Sequence, residues 1–168
     1  MRGRRPDLAT AAPTFRPEWV VSSTRTQRIR TNRNPDFVKL RRGFALDTRQ
    51  IPEELPSWDV ARIVTQARAV ACLQNRAGQG PARLAGECAL MAEGIPTWLC
   101  SPDIQFVHNS PAVNPIELPP VTIGEHEIPS VMERSVPLGG VRLETSALNE
   151  GREARLGRIA AELALVEH

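Results

Sequence analysis

The chain has 168 residues and a net charge of +2, with fifteen Pro, four Phe, three Trp and no Tyr. That length suits one domain with a real core, yet with so few aromatic residues the core must rest on Val, Leu, Ile and Ala. Three Cys form no even set, which argues against a disulfide framework and for a reducing compartment, and no apolar run approaches the roughly 18–20 residues of a membrane span.

The charge is unevenly placed. Residues 1–50 hold eleven Arg and one Lys against four acidic residues, and residues 51–168 hold nine Arg against fifteen. A basic N-terminal part thus precedes an acidic body. The cations are twenty Arg and Lys39 alone. The guanidinium fork matches phosphate oxygens; GC-rich coding, which favours Arg, Ala and Pro together, accounts for the same bias. Both explanations stand at this level.

Residues 1–50 read as a basic extended arm with short strands. Met1-Arg-Gly-Arg-Arg-Pro6 has no apolar stretch after it and is not a secretory signal. Pro6, Pro13 and Pro17 interrupt the amphipathic helix that a mitochondrial presequence needs. Val20-Val21 suits a strand. Then Arg25, Arg28, Arg30 and Arg33 alternate with small hydroxyl and amide residues, a pattern able to donate to phosphates. Phe37–Leu40, the turn Arg41-Arg42-Gly43, and Phe44–Leu46 read as strand, turn and strand. The candidate nucleic-acid-binding residues are Arg2, Arg4, Arg5, Arg25, Arg28, Arg30, Arg33, Arg41 and Arg42. A solvated loop or a subunit-clamping arm uses the same residues.

Residues 51–168 read as one small body. Val60, Ile63, Val64, Ala67, Val70, Ala71 and Cys72 recur at helical spacing over 57–77. Ser57 is the expected N-cap and Gly78 the expected left-handed C-cap. Pro81 then opens a second expected helix, with Leu84, Ala85, Cys88, Ala89 and Met91 as its stripe and Gly94 as its end. Together they predict a helical hairpin over 57–94, its open end closed by Ile95, Trp98 and Leu99, with Cys72 and Cys88 as buried hydrophobes.

Residues 95–145 form a Pro-rich extended region. Short edge strands or hairpin arms are expected at 104–108, 116–118, 121–123 and 141–143. Leu148, Leu156, Ile159, Leu163 and Val166 predict a closing helix over 146–167. The fold class expected is mainly α with short β hairpins (α+β): a helical hairpin core, a C-terminal helix, a long basic arm and a Pro-rich irregular region.

No constellation points to chemistry. Cys72, Cys88, Cys100 and His108 are separated by fifteen, eleven and seven residues, without the close pair of a zinc module. Glu125-His126-Glu127 reads as a polar loop, because along an extended chain both carboxylates face away from the imidazole. Gly78-Gln-Gly80 lacks a Walker lysine. No catalytic residue, metal ligand or cofactor is expected.

The sequence therefore points to a non-catalytic structural or assembly subunit of a larger particle: a virion or phage head component, or a ribonucleoprotein. Its arm would contact RNA, DNA or neighbouring subunits, inside a reducing compartment or a virion. The alternative is a sequence-tolerant nucleic-acid-binding regulator whose hairpin acts as a helix-turn-helix, with Arg83 on the helix that enters the groove. An enzyme using His108 or His126 requires a pocket joining one of them to Glu127 or Asp103.

Overall fold

A 20-residue helix, α1 (Ser57–Arg76), is the spine on which the strands are laid. The computed structural model describes residues 14–22, 33–79, 82–95, 97–108 and 113–136. The expected strand at 141–143 and helix at 146–167, with residues 1–13 and 23–32, lie outside them. Pro56 occupies the N-cap of α1, and its carbonyl accepts from the Asp59 and Val60 amides at 3.0 and 3.2 Å. Ser57 is the first helical residue and makes no cap. At the other end the chain tightens into a 3-10 turn, Ala77–Gln79, and Gly78 is not left-handed. The buried residues of α1 spread beyond one stripe, from Val60 and Ile63 to Arg68, Ala69 and Cys72. Its many alanines let strands approach closely.

The first sheet has the order β1-β3-β2, all antiparallel: β1 (Val20–Ser22), β2 (Phe37–Arg41) and β3 (Phe44–Asp47). The turn between β2 and β3 needs a left-handed residue, supplied by Gly43 at φ +87°. A bulge between Lys39 and Arg41 shifts the register there. Val20, Leu40 and Leu46 are buried with Ile63, Val64 and Ala67 of α1.

Only the second half of the expected second helix forms. Ala82–Ala85 is a strand, β4, and only Gly86–Ala92 is helical (α2). Two causes are visible. Gly86 takes φ +66°, which ends the extended segment abruptly. The backbone of β4 pairs with β5 (Ile104–His108), Leu84 opposite Phe106 and Ala82 opposite His108. This long-range ladder overrides the helix propensity of Ala and Leu. Gly94 does end α2, at φ +78°: the Ile95 amide donates to Leu90 O and the Gly94 amide to Met91 O, at 2.9 and 3.0 Å.

The second sheet has the order β4-β5-β9-β6, with β5 and β9 (Val131–Ser135) parallel and the other pairs antiparallel. β5 is therefore an interior strand, not the expected edge. β6 (Ile116–Leu118), β7 (Val121–Ile123), β8 (His126–Ile128) and β9 are one long hairpin in a constant register. Leu118 faces Val131, and three residues on, Val121 faces Ile128. Between them Pro119 and Pro120 lie opposite Pro129 and Ser130. Prolines cannot donate to a ladder, so it breaks there into two. The tip is a two-residue turn with Gly124 at φ +58°. His126 is thus in a strand, and the expected polar loop shrinks to Gly124-Glu125.

Among the described residues there are two α-helices and nine strands in three sheets, so the mainly α expectation is overturned in favour of a mixed α+β fold. The core has two parts. Val121 and Ile128 join the first sheet and most of α1; Leu118 and Val131 join Cys72, Cys88, Ile104 and Phe106. The bent hairpin serves both.

Candidate functional site

Among the described residues, the most concentrated buried charge is where β2, the last turn of α1 and β9 meet. Glu133 projects inward from β9 with its side chain fully buried. Arg41 Nη1, at the end of β2, donates to both of its oxygens at 2.8 Å. Arg76 Nη2, from α1, donates to Oε1 at 3.3 Å. The Arg76 guanidinium also lies 3.8 Å from the centroid of the Phe106 ring. One carboxylate thus holds two guanidiniums, and each keeps a buried Nε with no protein acceptor. One turn earlier on α1, burial, followed by the Glu133 charge, pushes the Cys72 thiol up to about 12. Cys72 is unreactive packing, and Cys88 is also buried, its pKa raised by burial.

A third buried guanidinium sits mid-helix. Arg68 is 1% exposed, and its Nη2 donates to Pro119 O at 2.8 Å and Pro129 O at 3.0 Å. These are carbonyls at the two sides of the hairpin break, where the ladder is missing. Arg68 thereby ties the bend to α1. Desolvation lowers its pKa to about 10.

Of the nine arginines that the sequence marks for nucleic acid, Arg2, Arg4, Arg5, Arg25, Arg28 and Arg30 lie outside the described residues. Arg33 and Arg42 are exposed. Arg41 is instead turned inward onto Glu133. The sequence carries no signal for this partnership, because 92 residues separate the two. Lys39 is exposed on β2. Arg49 is bound to Asp47, its Nε to Oδ1 at 2.9 Å and Nη2 to Oδ2 at 2.6 Å, and holds that carboxyl below its ordinary range.

Trp98 and Leu99 do not close a hairpin end. They are 92% and 56% exposed, and Trp58, in the first turn of α1, is 63% exposed. An open groove of 720 Å³ is lined by Arg16, Pro17, Glu18, Trp19, Asp47 and Gln50. Neither His108, which is buried, nor His126 lines it, and it does not join a histidine to Glu127 or Asp103. Asp103 is committed to the Met132 amide and to Arg134. Among the described residues no group of His, Cys, Asp and Glu is placed to hold a metal ion, and no helix is long and apolar enough to cross a membrane. Comparison with family models, with curated proteins and with solved structures finds no match to this chain.

Proposed function

We propose that the chain is a non-catalytic assembly subunit of a larger particle, such as a virion or phage head component or a ribonucleoprotein. Its basic N-terminal part meets an acidic partner surface, either nucleic-acid phosphates or the carboxylates of a neighbouring subunit. The observation that carries this reading is the charge division: a surplus of eight positive charges in residues 1–50 and of six negative charges in 51–168. Two structural facts are consistent with it. Arg33, Lys39 and Arg42 face solvent, and two large tryptophans stand exposed on the body, the residue type that most often anchors protein contacts. The helix-turn-helix alternative loses its basis, because Arg83 lies on strand β4 and not on a helix.

The test must keep β1, since Val20 is a core residue. The suitable variant is the full chain with Arg2, Arg4, Arg5, Arg25, Arg28 and Arg30 changed to Gln. Wild type and variant are titrated with mixed-sequence RNA and DNA across a salt series. Affinity that falls steeply with salt, and is lost in the variant, identifies phosphates as the acidic surface. If neither protein binds nucleic acid but the variant changes oligomeric state, the acidic surface belongs to a neighbouring subunit. If the six changes alter neither property, the reading fails.

A further inference from the structure

Trp98 and Leu99 lie in a loop that meets α1, the helix whose first turn carries Trp58. The Thr65 hydroxyl donates to Cys100 O at 3.5 Å, which seats the end of the 97–100 loop against α1. Trp58 is seven residues before Thr65 on the same helix. That is two turns along the same face, roughly 10 Å. Gln66 Nε2 donates to Met91 O at 3.0 Å and ties the end of α2 to α1 beside Thr65 in the sequence. Carboxylates accompany the tryptophans. Glu53 and Glu54 are exposed just before α1, and Glu93 is exposed at the end of α2. None of the three has an ion pair among the described residues, whereas Asp59 is paired with Arg62 at 2.9 Å.

Aromatic faces among unpaired carboxylates are the chemistry that receives guanidinium groups. The two tryptophans expose on the order of 300 Å², well under the roughly 800 Å² per partner of a stable globular interface. The patch therefore suits a short extended segment and not the flat face of a folded body. Residues 25–33 supply the matching charge in sequence: Arg25, Arg28, Arg30 and Arg33 with small polar residues between, and no acidic residue from Trp19 to Pro35. We propose that the Trp58–Trp98 patch binds the arginine-bearing segment 25–33 of a second copy of this chain. The inference rests on the assembly reading above and names one of its contacts. Each copy carries both halves of this contact. It is heterologous, and head-to-tail repetition builds rings or open arrays, as a particle subunit requires.

The experiment is sedimentation of the full chain over a concentration series at low and high salt, with tryptophan emission followed in parallel. Three variants are compared: Trp58→Ala/Trp98→Ala; Glu53→Gln/Glu54→Gln/Glu93→Gln; and Arg25→Gln/Arg28→Gln/Arg30→Gln/Arg33→Gln. All changes are at exposed or undescribed positions, and circular dichroism verifies folding. The wild type is expected to associate with a blue shift in emission, more weakly at high salt. The tryptophan variant should associate about thirtyfold or more weakly. The two charge variants should also weaken association. A wild type that stays at 18.5 kDa throughout overturns the proposal, as does association that the tryptophan or arginine variant leaves unchanged. A concentration-independent blue shift without mass increase also overturns it, since the segment would then dock within its own copy. Nucleic-acid titration of the same samples separates the two failures: a monomer that binds RNA or DNA through its arginines defeats this inference and leaves the assembly reading standing.

Discussion

Replacing Glu133 by Gln tests whether the buried carboxylate is the clasp between the two sheets and α1. The side chain is fully buried and receives three charge-assisted hydrogen bonds, two from Arg41 at 2.8 Å and one from Arg76 at 3.3 Å. Glutamine keeps the volume but removes the charge and turns an amide donor toward two guanidiniums. Removing one partner of a buried pair costs about 3–5 kcal/mol, because the remaining charge stays uncompensated. Here two charges would stay. That is a large part of the roughly 5–15 kcal/mol that holds a domain together. Arg41→Met should cost less, about 1–3 kcal/mol, because Glu133 keeps Arg76. Changing Arg41, Arg76 and Glu133 together to Met, Leu and Leu should come within about 1 kcal/mol of the wild type, as buried ion groups replaced by apolar residues often do. Urea unfolding, followed by circular dichroism with the slope m compared between variants, measures all three. Arg41→Met as costly as Glu133→Gln, or a Glu133→Gln cost below about 1 kcal/mol, would refute the reasoning.

Three further outcomes are expected. Gly86→Ala places a residue at φ +66° with its Cβ 2.7 Å from Gln105 Oε1, the free end of a flexible side chain that can swing aside; it should cost about 1–2 kcal/mol from the backbone, about as much as Gly43→Ala at φ +87°, where the added methyl meets open space. Urea unfolding checks this, and Gln105→Ala should recover little of the Gly86→Ala cost. A thiol reagent at pH 8 should modify Cys100 quickly and reach Cys72 and Cys88 only on unfolding, because the latter two are buried; three thiols reacting at one fast rate would contradict the packing. Asp47, whose carboxyl is lowered first by its hydrogen bond to Arg49, contributes stability above the ordinary carboxylate range that is lost as pH falls through its folded pKa. The contribution is small and salt-sensitive because the Arg49 side chain is exposed. Carboxyl NMR titration should place Asp47 below the ordinary aspartate value, and Arg49→Gln should bring it back up.

The parts of the fold written in local pattern were legible. Helix α1 follows the apolar spacing from Val60 to Cys72, and β2 and β3 follow two apolar runs about a glycine turn. What was not legible depends on residues far apart. Ala82–Ala85 reads as helix until β5 offers it a ladder. Arg76 reads as a helix-terminal surface residue until Glu133 reaches it from β9. The hairpin from Ile116 to Ser135 was half visible. The prolines that break its ladder also hide that β6 to β9 share one register, and that Arg68 takes two of the carbonyls at the break. At the candidate surface, Arg33 and Arg42 were placed in solvent as their sequence setting suggests. The exposure of Trp98 has no local signature, since an apolar residue after a helix reads as packing.

The structure also divides the basic region. β1 and β2 both pair with β3, in the same direction on its two sides, with Ser22 opposite Phe44 and Phe37 opposite Asp47. The chain from residue 23 to 36 is therefore the connection between two strands of a core sheet. A polyanion that binds this connection should be linked to folding. A ligand held by Arg25, Arg28 and Arg30 binds a segment whose ends are fixed only in the folded state, so binding stabilises the fold: about 2.7 kcal/mol at a hundredfold excess over Kd. A ligand held equally by the folded and the unfolded chain leaves the midpoint where it was. Thermal unfolding with and without a short single-stranded oligonucleotide distinguishes them. A raised midpoint, abolished by Arg25→Gln/Arg28→Gln/Arg30→Gln, assigns the contact to the strand connection. Binding without any shift refutes the linkage argued here.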